Sequence, residues 1–395
     1  MKNQVSLKRQ YPTSFDLRRR AKRRMPNFAF EYMDGGAGAD VGIERNWKSL
    51  DSMELVPRYG KVTVPPPTTI ELFGHTYSAP IGIAPIGSPS TAFPGAEKYM
   101  AKAAQEIGIP YTLGIMSGID IEEAAEIAPD VFWFQLYRFP LNDHAIGFDM
   151  VDRANAAGAH ALILTIDTPT RTTRPREVKS GIMTPFRLSM RLRLDALSSP
   201  PWMLSMFRNG IPRFACFKPY LPKNAGIVEA TKFIQREGGG AFTWEEIARY
   251  RDKWKKPLLV KGILHPKDAE RAVSLGLDGI VVTNHGGRQI EALPASIDVL
   301  PEIASTVGKK ITTIFDSGIR SGIDVARAIA AGADAAFSGK AFLWSLGALG
   351  EIGPKHMAST FIEEIGSTLG QLGCEAVSDL HEIQSRHPTA YEPQV

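Results

Sequence analysis

Cysteine is nearly missing from this chain: two in 395 residues, Cys216 and Cys374. Two are too few for a disulfide framework, and their scarcity fits a reducing compartment. No run of about eighteen apolar residues occurs, which argues against a membrane-spanning helix. The first twelve residues carry no apolar signal-peptide core, so export is not expected and a cytoplasmic location is. A strong excess of one charge is also lacking. The formal net charge is +4, too mild to point to nucleic acid by itself. The eight histidines include no close pair with an acidic partner at ligand spacing, so no metal site is expected. There is no Gly-x-Ser-x-Gly nucleophile elbow, and neither cysteine stands at a strand end. A glycine-rich dinucleotide fingerprint after the first strand is absent too.

What is present is the composition of a globular protein, with 44% hydrophobic and 22% charged residues. At this length a large core can form. From about residue 79 short apolar segments alternate with helical patterns. The strand candidates are 79–85, 111–114, 132–137, 161–167, 257–262, 279–285, 312–318 and 335–340. Helical patterns follow at 95–107, 121–128, 144–157, 265–275, 294–306, 321–331 and in a long stretch after 341; another, 243–254, precedes the fifth strand. Eight such strands imply parallel βαβ units. The expected fold class is therefore α/β, a closed (β/α)₈ TIM barrel, with an open doubly wound sheet as the rival. The expected organisation is a helical lead-in over 1–78, the barrel over 79–385 with an insertion at about 178–242, and a tail over 386–395.

In the lead-in, the basic run Arg18-Arg19-Arg20-Ala21-Lys22-Arg23-Arg24 reads as a solvated helix face. The segment Phe28–Ala37 reads as an apolar helix stopped by Gly35 and Gly36, with Tyr32 near the stop as a packed aromatic or a ligand contact. Residues 55–75 read as irregular. Between the fourth and fifth strands lie roughly ninety residues, far beyond a usual connection. Within them, 183–222 carries Arg187, Arg191, Arg193, Arg208 and Arg213 among Phe186, Leu188, Met190, Leu192, Leu194, Trp202, Met203, Leu204, Met206 and Phe207. Such a segment suits an anionic membrane surface, a lid over the barrel mouth or an oligomer contact, and its composition does not choose among them.

The chemistry collects at the C-terminal ends of the strands, where a barrel of this kind places its active site. These ends are polar: Gln135-Leu136-Tyr137, Thr165-Ile166-Asp167 with Arg174 soon after, Val260-Lys261-Gly262, Asp316-Ser317-Gly318-Ile319-Arg320 and Ser338-Gly339-Lys340. The sixth is the densest. Gly279-Ile280-Val281-Val282 runs into Thr283-Asn284-His285-Gly286-Gly287-Arg288-Gln289, an apolar strand opening into a tight loop. His285 is the side chain best poised to take a proton near neutral pH, and the planar fork of Arg288 matches a carboxylate. Either could instead be a capping or solvating group, but six polar ends on one face exceed what caps alone explain. The ends of strands seven and eight combine glycine backbone with cations where barrels often hold a phosphate, so a cofactor phosphate is expected there. Lys261 is suited to face an anion developing on that cofactor, or to pair with a neighbouring carboxylate.

Taken together, these motifs resemble the FMN-dependent L-2-hydroxy-acid dehydrogenases and oxidases. The likeness runs from about Tyr11 to Ile383 and rests on Asp34-Gly35-Gly36-Ala37, Phe134-Gln135-Leu136-Tyr137, Thr165-Ile166-Asp167-Thr168-Pro169, Val260-Lys261-Gly262, Asn284-His285-Gly286-Gly287-Arg288-Gln289 and Asp316-Ser317-Gly318-Ile319-Arg320. The general look is closest to the bacterial respiratory L-lactate dehydrogenase branch, including Trp202, Gly210 and Pro212 in the insertion. The resemblance implies FMN as cofactor and a small 2-hydroxy acid as substrate. By it, His285 is the base and Asp167 its carboxylate. Arg288 and Tyr32 hold the substrate carboxylate, Tyr137 stands near the hydroxyl, and Arg174 is the second active-site arginine, with Arg176 close in register. It places Lys261 at the flavin N1–C2=O edge, and Pro85, Ile86, Gly87, Gly114, Gln135 and Thr165 around the isoalloxazine. The ribityl phosphate falls to Asp316, Ser317, Gly318, Arg320, Gly339 and Lys340. A homo-oligomer, a tetramer by resemblance, is also implied.

Several positions depart from the common pattern. Ser317 replaces the first of two glycines, as in the lactate dehydrogenase branch. Lys340 stands where arginine is usual, keeping charge without the fork. Gly87 replaces an alanine typical of oxidases, and Gly114-Ile115-Met116 lacks the usual hydroxyl residue. The expected activity is oxidation of a lactate-like 2-hydroxy acid, with a quinone or another acceptor taking the electrons. The alternatives are an oxygen-using oxidase, a lactate-monooxygenase-like enzyme and a non-enzymatic FMN-binding module.

Overall fold

A computed structural model describes residues 2–62, 64–170, 172–181 and 189–391. The eight strands close into a parallel barrel in chain order: β1 Ile81–Ile83, β2 Tyr111–Gly114, β3 Phe132–Leu136, β4 Ala161–Thr165, β5 Leu258–Ile263, β6 Gly279–Val282, β7 Thr312–Asp316 and β8 Ala335–Ser338. The ring is sealed where β8 pairs β1, with Ala336, Phe337 and Ser338 opposite Ile81, Gly82 and Ile83. Nearly every strand residue is buried on both faces, which explains why these segments read as apolar runs and not as alternating ones.

The expected strand and helix positions hold, most with shorter ends, though the helix expected at 144–157 starts at Leu141 and the fifth strand runs to Ile263. The first strand spans only Ile81–Ile83, because prolines at 80 and 85 cannot donate to a ladder. The stretch after 341 is two helices, Lys340–Leu349 and Gly353–Leu372, broken at Gly350, which takes a φ of +67°. Residues 55–75 are not wholly irregular. Ile70–Leu72 and His75–Tyr77 form an antiparallel hairpin whose turn residues Phe73 and Gly74 both have positive φ. Phe73 packs on Trp133 near the start of β3, and the Trp133 indole donates to the Tyr77 hydroxyl at 2.9 Å.

The basic run is a solvated face in part: Arg19, Lys22 and Arg23 are exposed, whereas Arg18, Arg20 and Arg24 correct that expectation. In the helix Ser14–Arg24, Arg18 pairs with buried Asp34 at 2.6 and 2.8 Å and lies over the rings of Trp47 and Trp344. Arg20 and Arg24 both donate to the Ala348 carbonyl. The helix Lys340–Leu349 ends there, and its last carbonyls need donors. The C-terminal tail is likewise tied down. Ser385–Arg386 pairs with Glu54–Leu55, and His387 and Thr389 reach Asp298.

In the insertion, the helices Met190–Leu197 and Pro200–Asn209 divide the apolar residues between two sides. Leu192 and Trp202 are buried, and the Trp202 indole donates to the Ala92 carbonyl at 2.9 Å. Met190, Leu194, Leu197, Leu204, Phe207 and Ile211 are each more than half exposed, and Arg193, Arg208 and Arg213 are exposed with them. Phe186, Arg187, Leu188 and the side chain of Arg191 lie outside the described residues. Among the described residues no helix is long and apolar enough to cross a membrane.

Candidate active site

A cleft of about 1040 Å³, counting space open to solvent, lies at the C-terminal ends of the strands. Tyr32, Pro85, Ile86, Gly87, Tyr137, Arg174, Lys261, His285, Arg288, Asp316, Ser317, Gly318, Arg320, Gly339 and Lys340 all line it. Gly114, Gln135 and Thr165 do not. They form a buried layer in which Gln135 Nε2 donates to Thr165 Oγ1 at 2.8 Å, and a Cβ on Gly114 would meet the Ile86 carbonyl oxygen. Asp167 reaches the cleft through His285.

His285 Nδ1 stands 3.0 Å from both Asp167 carboxylate oxygens. With its proton on Nδ1 and donated to Asp167, the ring keeps Nε2 as its proton acceptor. Burial holds the imidazole below its ordinary value against the pull of Asp167, so it is neutral near pH 7. Burial alone would raise the Asp167 carboxyl, but His285 and Lys261 outweigh it and hold it below the ordinary value. Room for that carboxylate comes from a bulge. Gly262 takes a φ of +117°, and a Cβ there would stand 2.6 Å from Asp167 Cβ.

The loop carrying His285 is braced from below. His285 itself has a φ of +61°, a conformation non-glycine residues adopt only when held. Its backbone N–H donates to Thr283 Oγ1 at 3.0 Å, and the N–H of Gly286 donates to Ser317 Oγ at 2.9 Å. Ser317 also has a positive φ, 108°, and its hydroxyl bonds Thr283 Oγ1 at 2.9 Å. The serine that departs from the common glycine thus ties β7 to the β6 loop. Asn284 and Asn46 exchange amide hydrogen bonds at 2.9 and 2.7 Å, docking the lead-in helix Val41–Ser52 onto the same loop.

Arg288 is held on one side by backbone. Its Nη1 donates to the carbonyls of Tyr32 at 3.0 Å and Gly35 at 2.6 Å, and its Nη2 meets Glu177 Oε1 at 2.6 Å. That uses three of its five N–H groups. The two left, on Nε and Nη2, share an edge and make a fork for a carboxylate. The Tyr32 ring lies 5.6 Å from the guanidinium, and its hydroxyl donates to the Gly87 carbonyl at 2.5 Å. Burial pushes the Tyr32 and Tyr137 phenols up, so both stay protonated. Of the two neighbouring arginines, Arg174 faces the cleft. Arg176 is held away from it by Glu31, by Asp34 at 2.9 Å and by Asp40 at 2.7 Å.

Lys261 is buried with its ammonium 3.3 Å from Asp316 Oδ2, so the expected carboxylate neighbour is present at the cleft floor. Toward β7 and β8, the backbone N–H groups of Gly318, Ile319 and Gly339 have no partner among the described residues. Lys340 donates to the carbonyls of Asp34 at 2.8 Å and Gly35 at 3.2 Å, and burial pushes its ammonium down to about 7. Orphan N–H donors beside a desolvated lysine suit an anionic group such as a phosphate. Arg320 offers less than expected, because Asp51 and Asp324 take four of its five N–H groups.

The sequence reasoning missed Glu177, and it missed Asn46, Trp47 and Trp344 as cleft lining. Glu177 stands three residues after Arg174 in the helix Pro175–Ser180, a spacing that could have flagged it. The lead-in residues carry no comparable signal.

Residues 21–386 match the family described as FMN-dependent dehydrogenase. The L-lactate dehydrogenase of Alcaligenes faecalis is 36% identical over 378 residues, covering 95% of this chain and 99% of that protein. That of Haemophilus influenzae (strain PittEE) is 36% identical over 377 residues, covering 93% and 98%. Among solved structures, the monotopic membrane protein (S)-mandelate dehydrogenase superposes with a TM-score of 0.88 at 30% identity, covering 94% of this chain and 98% of that one. A mandelate oxidase does so at 0.81 and 31% identity, covering 95% and 99%. The chain belongs to the FMN-dependent dehydrogenase family and is an FMN-dependent 2-hydroxy-acid oxidoreductase.

Proposed function

We propose that the protein oxidises a small L-2-hydroxy acid of the lactate kind to its 2-oxo acid and delivers the electrons to a quinone at a membrane surface. The observation that carries the chemistry is His285, paired through Nδ1 to Asp167, on the same cleft as Arg288. Arg288, with Tyr32 and Arg174 beside it, holds the substrate carboxylate. Tyr137, kept protonated, stands by the hydroxyl. His285 Nε2 takes one of the two hydrogens the substrate loses as a proton, the other leaving with the two electrons to the acceptor, and Asp167 stabilises the imidazolium that results. FMN, when bound, supplies the two-electron acceptor. Lys261 sets a buried positive charge at the cleft floor, suited to the flavin N1 edge. Pro85, Ile86 and Gly87, which line the cleft, would flank the ring, and Gly114, Gln135 and Thr165 would back it from the buried layer beneath. The ribityl phosphate would fall to the backbone N–H groups of Gly318 and Gly339, to Lys340 and to the one remaining N–H of Arg320, with Asp316 and Ser317 lining the cleft beside them.

The membrane acceptor rests on the insertion. Six outward apolar side chains beside three exposed arginines suit the boundary of an anionic bilayer. The solved (S)-mandelate dehydrogenase, a monotopic membrane protein, supports the membrane part of the reading. Full-length protein is expected to sediment with anionic vesicles and to turn over faster with a quinone analogue than with oxygen. Leu204→Glu with Phe207→Glu, on the exposed side, should release it from vesicles and leave reduction by substrate intact. A protein that ignores anionic vesicles and consumes oxygen faster than it reduces quinone belongs with the oxidases instead.

One observation favours a second reading of the substrate. Both the solved dehydrogenase and the solved oxidase that this chain superposes on are named for mandelate, a 2-hydroxy acid with an aromatic side chain. Comparing kcat/KM for L-lactate and (S)-mandelate separates the two readings.

A further inference from the structure

Two buried or half-buried arginines meet one carboxylate at the mouth of the cleft. Glu177 is 4% exposed, and its Oε1 lies 2.6 Å from Arg288 Nη2 and 3.3 Å from Arg174 Nη1. Two guanidinium groups this close repel each other and each loses hydration, so an unpaired arrangement would be costly. Glu177 supplies the missing negative charge. It does more than neutralise, because Arg288 has both Nη1 protons on the Tyr32 and Gly35 carbonyls. With one Nη2 proton on Glu177, the guanidinium plane is pinned at three points, and only the Nε–Nη2 edge remains to be offered. Arg174 is oriented by the same oxygen and by the Arg288 carbonyl, which its Nε meets at 3.3 Å. Both arginines therefore take their aim from a residue at the root of the insertion.

We propose that Glu177 is a positioning residue of the carboxylate clamp: it decides which edge of Arg288 faces the bound 2-hydroxy acid and holds Arg174 beside it. The proposal rests on the reading of Arg288 as that clamp. It gives Glu177 no contact with the reacting atoms and no part in proton transfer.

The test uses FMN-loaded full-length protein and oxalate, an unreactive dianion, followed by its perturbation of the flavin spectrum. Glu177→Ala is expected to weaken oxalate binding by about tenfold or more, the loss of a charged hydrogen bond at a buried site. Glu177→Gln keeps an oxygen at the same reach and is expected to recover part of that loss. Lactamide, which offers the clamp one neutral carbonyl oxygen in place of a carboxylate, should lose much less than oxalate in both variants, and FMN affinity should not move. A merely structural role would weaken oxalate, lactamide and FMN together. Parent-like oxalate affinity in Glu177→Ala overturns the proposal, as does a glutamine variant no better than alanine. If the alanine variant does not fold, Glu177→Asp keeps the buried charge but withdraws the oxygen by one methylene; parent-like oxalate binding there also overturns it. Arg288→Lys is measured in parallel. If it too leaves oxalate affinity unchanged, the clamp reading itself falls; if only the Glu177 variants are silent, Glu177 alone loses its role.

Discussion

His285→Gln is expected to keep FMN and to lose nearly all reduction of the flavin by substrate. Removing a general base costs a factor of about 10² to 10⁴, and more where the group also positions substrate. Here both apply. Glutamine can reach toward Asp167 but has no nitrogen that accepts a proton at neutral pH. The pH dependence of the parent follows from the same geometry. Burial holds the His285 imidazole below its ordinary value of about 6.5, so the reactive neutral form predominates at pH 7. The rate of reduction should be flat through neutrality and fall as the pH drops through that lowered value. In the glutamine variant this acid limb should vanish with the activity. Anaerobic stopped-flow reduction across pH measures both, and an unimpaired rate in the variant removes His285 from the role of base.

Arg288→Lys is expected to weaken substrate binding and slow reduction together, by about tenfold to a hundredfold. Lysine keeps the charge, but it cannot donate to the Tyr32 and Gly35 carbonyls, to Glu177 and to a substrate carboxylate at once. It also has no fork. Loss of orientation should therefore show in the limiting rate of reduction as well as in the dissociation constant. If both match the parent, the clamp lies elsewhere, and Arg174 is the next residue to replace.

How much of this could be read from sequence depends on which physical signal each residue carries. The barrel strands were legible because burial on both faces makes each one a short apolar run. His285 and Arg288 stood out because an apolar strand ends abruptly in polar residues and glycines. The hairpin 70–77 did not, since its turn uses Phe73 at a φ of +54°, a residue type that no turn preference selects. Its packing on Trp133 holds it there, and that contact is tertiary. Arg18, Arg20 and Arg24 looked solvated because a charge run usually is. Their partners, Asp34 and the Ala348 carbonyl, lie elsewhere in the chain, and for Ala348 more than three hundred residues away. Asn46 and Trp47 are placed in the cleft by the same kind of long-range docking.

The insertion shows the limit from the other side. Its composition alone suited a membrane face, a lid and an oligomer contact equally. The helices separate its apolar residues into Leu192 and Trp202, which pack inward, and Leu204 and Phe207, which do not. A deletion through this segment would remove the Trp202 contact with Phe28 along with the exposed patch, so point substitutions on the outer side are the cleaner probe.

The cleft is expected to hold FMN and to oxidise a 2-hydroxy acid over it. The absorption spectrum of purified protein, recorded without air before and after adding L-lactate, tests it most directly. Flavin bands that bleach on addition, with one 2-oxo acid formed per flavin, are the predicted result. A protein without flavin bands, or one whose bands persist with L-lactate and (S)-mandelate alike, would contradict that expectation.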